Sequence, residues 1–249
     1  MKHEIRARAG DPVAQTHLAG YYLKDGKPEL AVKWYLEAIK KKLPEAEFRL
    51  SICYSLGVGV PKDETKALEL LVSAARKGHP ESLNNLGSYI RSKDPILAYH
   101  YFQISANLGC IEALANVATC YLYGTGCLVN QELAINLLTF CANYDHAPSM
   151  FLLGTWYQNG MGFDLNLTIA SRWFRRSANL GHADAQFAFA KALLNGTGVA
   201  KSTDGAIKYF NLAIKQNHIE AKQLFTELVS NGKIKLTEEP FQNKNFMKN

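Results

Sequence analysis

A pattern of small and apolar residues recurs along this chain, and recurrence at a fixed period limits the fold more than any other feature. Small residues mark its register at Ala14, Ala46, Ser82, Ala113, Ser149, Ala185 and Ala221, in steps of 32, 36, 31, 36, 36 and 36 residues. Four residues past each mark stand Leu18, Leu50, Leu86, Val117, Leu153, Phe189 and Phe225. Next to them come Ala19, Ser51, Gly87, Ala118, Gly154, Ala190 and Thr226, and eight past the mark Tyr22, Tyr54, Ile90, Tyr121, Tyr157, Leu193 and Val229. Offsets of 0, 4, 5 and 8 share one face of an α-helix, here helix A.

A second series opens at Ala31, Ala67, Ala98, Ala134, Ala170 and Ala206, with large apolar pairs such as Trp34–Tyr35 and Trp173–Phe174 following one turn later. Ala38, Ala74, Ser105, Cys141, Ser177 and Ala213 come seven residues after each start. This is helix B, also amphipathic. Asp63, Asp94, Asn130, Asn166 and Ser202 precede it at the spacing of an N-cap, with Lys27 as the exception. Pro28 and Pro95 suit the first helical position, where a missing N–H costs nothing. Gly78, Gly109 and Gly181 suit a left-handed cap after helix B.

Each A–B unit is a hairpin that cannot bury its apolar face alone, so neighbours must stack into one core. The expected fold is all-α: a right-handed α/α superhelical solenoid of six hairpins plus a terminal helix over residues 1–232. Lys2–Ala9 reads as the end of a preceding B helix, as if the chain began mid-pattern. Residues 233–249, with Pro240 and few apolar positions, read as a flexible tail. In that tail Phe241, Phe246 and Met247 are suited to cap the last helix, and Glu238–Glu239 to a C-terminal targeting signal.

The stretches "AEFRLSICYSLGVGVPKDETKALELLVSAARKGH" and "AQFAFAKALLNGTGVAKSTDGAIKYFNLAIKQNH" resemble the Sel-one-like repeat family, a relative of the tetratricopeptide repeat. The shared signature runs L-G-x-x-Y, G-x-G-V, an N-cap, Ala, aromatic, Ala and Gly-His, over about residues 10–232. Units one and three lack the Gly-x-Gly connection, and Ile90 and Leu193 replace the tyrosine. The resemblance implies a non-enzymatic scaffold or adaptor, without cofactor, whose A helices line a concave groove for a protein or peptide.

Other chemistries are weaker in the sequence. The turns Gly57–Gly59, Gly124–Gly126, Gly160–Gly162 and Gly196–Gly198 mimic a phosphate loop, but each follows a helix and none has Lys-Ser/Thr at the spacing of G-x-x-x-x-G-K-[ST]. His79, His146, His182 and His218 share the B-to-A turn, yet equivalent positions in stacked units are separated by about 8–10 Å. Zinc needs ligands at about 2 Å. Ser-x-x-Lys occurs once, at Ser230–Lys233, without the companion motifs of a β-lactam-reactive serine. That leaves a small-molecule-binding or hydrolytic member, for which the resemblance to β-lactam-linked relatives gives the only motive, as an alternative. A translocated bacterial effector that scaffolds host proteins is the other. Five cysteines at no metal-like spacing indicate free thiols in a reduced compartment, with Cys110–Cys141 as the one pair able to meet. The net charge of +6 is spread along the chain without a nucleic-acid motif, and no apolar run is long enough to span a membrane. The N-terminus has no signal-peptide pattern, so a cytoplasmic monomer is expected, or one moved into a host cytosol if it is an effector.

The face of helix A opposite its core side is the expected binding surface, by the family's use of that face. It carries Phe48, Arg49, Asn84, Asn85, Ser88, Arg91, Asn116, Thr119, Tyr123, Phe151, Thr155, Gln158, Phe187 and Lys191. Arg and Tyr are common anchors of protein recognition. Phe48, Phe151 and Phe187 sit beside the interhelical seam and suit either groove or core. Glu45, Glu81, Glu112, Asp184 and Glu220 open the A helices, where an acid favours the helix dipole. Stacked, they form a rim that a basic peptide can use.

Overall fold

The computed structural model describes residues 2–162 and 164–234. Among them there are fourteen α-helices and no strand. The first is α1 (Lys2–Arg8), and the hairpins follow as α2 (Pro12–Lys24) with α3 (Pro28–Ile39), α4 (Pro44–Leu56) with α5 (Glu64–Arg76), and α6 (Pro80–Ile90) with α7 (Pro95–Asn107). Next come α8 (Ile111–Tyr123) with α9 (Gln131–Asn143), α10 (Ala147–Asn159) with α11 (Leu167–Asn179), and α12 (Ala183–Asn195) with α13 (Thr203–Lys215). The terminal helix is α14 (Ile219–Ser230). The fold is an α/α solenoid of six hairpins and a terminal helix. It divides into two compact units, residues 1–141 and 142–249.

Local chemistry sets the helix ends. Asp63, Asp94, Asn130, Asn166 and Ser202 each accept a hydrogen bond from the backbone N–H three residues on, at 2.9–3.1 Å. Each such cap contributes about 0.5–2 kcal/mol. Lys27, as its side chain dictates, makes none. Gly78, Gly109 and Gly181 adopt φ of 79°, 94° and 94° after helix B. At the same register Lys42, Asp145 and Asn217 take φ near 60° without being glycine. The turn thus imposes its geometry even where no glycine relieves it.

Small residues admit the neighbouring helix as the repeat pattern requires. A Cβ on Gly87 would lie 2.8 Å from the Phe102 ring, and one on Gly154 2.6 Å from the Phe174 ring. In the first unit Tyr35, Leu50, Phe102 and Leu138 are almost fully buried. In the second, Leu153, Trp156, Phe210 and Ile234 are. Ile234 donates its N–H to the Leu228 carbonyl and packs into the same cluster as Phe210. The packed chain therefore reaches Ile234; the remainder of the expected tail, with Phe241, Phe246 and Met247, lies outside the described residues.

In three of the four Gly-x-Gly turns the second glycine does more than turn the chain. Gly59, Gly126 and Gly198 all have φ near 70°. A Cβ on them would collide with the backbone carbonyls of Pro28, Pro95 and Leu167. Those carbonyls belong to the first turn of helix B in the preceding hairpin. The loop is a close backbone contact between repeats.

Candidate protein-binding face

In the first unit, α4, α6 and α8 bring the expected face together. Phe48 is buried, its ring 4.9 Å from that of His79. It belongs to the seam, which settles the choice left open for this residue. Arg49 is exposed but held by Glu45 at 2.7 Å. Asn116 on α8 donates to Asn84 on α6 at 2.8 Å, a direct side-chain bond between two A helices. Thr119 donates back to the Ala115 carbonyl at 3.0 Å. Asn85, Ser88, Arg91 and Tyr123 are exposed, and Arg91 has no carboxylate within ion-pair distance among the described residues.

In the second unit, Phe151 and Phe187 are half-buried. Phe151 stacks on His182 at 5.1 Å, and Phe187 lies 4.8 Å from His218. Thr155 donates to the Phe151 carbonyl at 3.1 Å. Lys191 holds its ammonium 4.3 Å over the Phe187 ring. Gln158 and Lys191 border a cavity of about 220 Å³ between α10, α11 and α12.

The histidines of the B-to-A turn explain why these rings are where they are. The Nδ1 atoms of His79, His182 and His218 accept hydrogen bonds from the backbone N–H groups of Ser82, Ala185 and Ala221, so these imidazoles cap the A helices. An accepting Nδ1 leaves the proton on Nε2. The Nε2–H of His79 donates to Glu45 at 2.7 Å, and that of His218 faces Asp184 at 3.2 Å. The acid that opens one A helix is thereby tied to the cap of the next. Glu81 and Glu220 lie beside the same imidazoles, at 3.5 and 3.3 Å, and Glu112 accepts from the Cys110 thiol at 3.5 Å. The row of acids is engaged with the scaffold, which weakens the case for a basic peptide along that rim. Sequence reasoning placed these histidines in the turn and missed their capping role. The signal was present, since each stands three residues before a register mark.

Titration follows from this geometry. The hydrogen bond from His79, with help from Arg49, holds the Glu45 carboxyl down at about 2. Burial lowers His182 below the usual imidazole value. A lowered imidazole means the unfolded chain takes up the proton first, so stability falls as pH drops below about 6.5. The Glu45 contribution is complete above about 4.5 and is lost as pH falls toward 2. Thermal melts between pH 7.5 and pH 5 should show a declining midpoint. The variant His182→Asn, which keeps a capping oxygen without a titrating ring, should flatten that decline; an unchanged slope would refute the assignment.

Ser230 donates its hydroxyl to the Glu227 carbonyl at 2.9 Å, closing the end of α14 rather than facing a base. Burial raises the thiols of Cys53, Cys110 and Cys127, and pushes Cys120 up to about 11, which suppresses thiolate chemistry. Cys110 and Cys141 remain thiols, the second 3.8 Å from the Ile111 carbonyl. Among the described residues no helix is long and apolar enough to cross a membrane.

The Sel1 repeat model matches residues 12–43, 44–79, 80–110, 111–140, 147–182 and 183–218. The chain belongs to the Sel1 repeat family. It is 29% identical over 151 residues to an uncharacterized protein of Neisseria meningitidis serogroup B, a match covering 59% of this chain and 32% of that protein. The chain thus spans about a third of the length of that curated relative. Among solved structures it resembles a Sel1 repeat protein from Oxalobacter formigenes, with a TM-score of 0.70, 21% identity, and coverage of 91% of this chain and 92% of that one. An immunity protein from Pseudomonas aeruginosa shares the fold, with a TM-score of 0.61 and 21% identity over 84% of this chain and 83% of that one.

Proposed function

We propose that this Sel1 array is a non-enzymatic scaffold that holds an extended protein segment against the exposed face of its A helices. The observation that carries this reading is on α6 and α8. Around the Asn84–Asn116 bond, Asn85, Ser88, Arg91 and Tyr123 are exposed, and Tyr123 shows 56% of its surface. On α4 the array consumes its own ring and acid: Phe48 packs on His79, and Glu45 binds both Arg49 and His79. On α6 and α8 it leaves an arginine, a tyrosine and amides available, the chemistry of a protein hot spot. A preformed helical face loses little freedom on binding, which favours a protein segment as ligand.

The test is affinity capture with quantitative mass spectrometry on three proteins. The unmodified chain and Arg172→Glu, altered at an exposed position of helix B, should recover the same partners. The double variant Arg91→Glu with Tyr123→Ala should recover them at least about tenfold less, with a melting temperature within about 2 °C, because both residues are exposed. Equal recovery by the double variant would refute the reading.

A further inference from the structure

We propose that the cavity in the second unit receives an acidic side chain, glutamate or aspartate, from an extended partner segment. This rests on the groove-binding reading and names the chemistry the groove selects. The cavity measures about 220 Å³ and is lined by Gln158, Phe174, Ala188, Lys191, Asn195 and Thr197 among others. That is below the ~300–1,000 Å³ of a typical small-molecule pocket, and suits one side chain inserted from a strand passing above it. Among the described residues no carboxylate lines it.

Lys191 supplies the charge. Among the described residues it has no carboxylate within ion-pair distance. The acid on its own helix, Asp184, faces His218 instead. The Lys191 ammonium rests over the Phe187 ring, and that ring is fixed between His218 and Phe210. This steers the lysine before any ligand arrives, which lowers the entropy lost on binding. Gln158 and Asn195 are exposed and make no side-chain bond among the described residues, so their amides are available to a passing main chain. The Ser171 hydroxyl is spent on the Gly198 and Thr168 carbonyls and contributes only shape. A basic side chain in the cavity would meet Lys191 as a like charge. An apolar one would desolvate an ammonium and an amide without replacing their water. A carboxylate gains a charge-assisted hydrogen bond.

The experiment records backbone amide shifts of the full chain on titration with four blocked amino acids. N-acetylglutamate N-methylamide should shift Gln158, Lys191, Asn195 and Thr197, saturating on the order of 1–10 mM for so small a probe. The glutamine and lysine analogues should leave those signals in place. N-acetylalanine, whose carboxylate is terminal, should bind at least about threefold more weakly; equal or tighter binding would overturn the side-chain assignment. Lys191→Gln should weaken the glutamate probe at least about fivefold and Lys191→Arg should restore it. A glutamate probe that leaves the cavity signals unmoved, or a glutamine analogue that moves them equally, would overturn the proposal. Either result leaves the groove reading to stand or fall on the Arg91 and Tyr123 capture.

Discussion

Gly198→Ala is expected to lower the unfolding free energy by about 2–5 kcal/mol, while Gly196→Ala, two residues earlier in the same turn, costs only about 1–2 kcal/mol. Both glycines have φ near 70°, so alanine at either meets the same left-handed strain. They differ in what surrounds them. The nearest neighbour to a Cβ at Gly196 is the Lys201 Cβ, at an ordinary 3.5 Å. At Gly198 it is the Leu167 carbonyl, in the first turn of α11, already in collision. A carbonyl fixed in a helix cannot rotate away, so the hairpins must separate. Urea titration of both variants checks the pair. Equal costs would mean that the loop only turns the chain and does not join repeats.

That comparison also shows what was legible in the sequence. Positive φ at Gly196 and Gly198 follows from the turn and can be read locally. The collision at Gly198 cannot, because its partner Leu167 lies 31 residues away in another repeat. The same division holds throughout. The caps Asp63, Asp94, Asn130, Asn166 and Ser202 satisfy an amide three residues on, and each was evident from spacing. Glu47, at the first-turn edge of α4, carries no such local signal. It is buried, with Ser73 of α5 and Lys77 at that helix's C-cap on its Oε1 at 3.1 and 2.6 Å, a fact that depends on how the hairpin closes.

The candidate face was legible as a face and not in its detail. Helical periodicity puts Phe48, Arg91 and Lys191 on the same side of helix A. It does not say that a histidine at the head of the next A helix takes the ring of Phe48 and leaves Arg91 alone. His79, His182 and His218 organise that choice, since each caps a helix with Nδ1 and presents a ring edge or face to the phenylalanine one repeat back. An imidazole is an unusual N-cap beside serine or aspartate. A reading that looks for familiar caps passes over it.

Phe210→Ala is expected to cost about 3–5 kcal/mol, the range for removing a fully buried ring. Phe210 has no exposed surface and lies between the rings of Phe187 and Phe225, at 6.1 and 5.6 Å. Phe210→Leu, which keeps most of the volume, should lose less than half as much. The effect should also reach the cavity before the chain unfolds. Phe187 is the platform under Lys191, and Phe210 is one of the two rings that hold it. Under conditions where Phe210→Ala remains folded, amide exchange should accelerate first in α12, α13 and α14. The glutamate probe should bind more weakly than to Phe210→Leu, although neither substitution touches the cavity wall. Unchanged probe affinity in a folded Phe210→Ala would show that Lys191 needs no platform, and would separate the packing of this unit from its recognition.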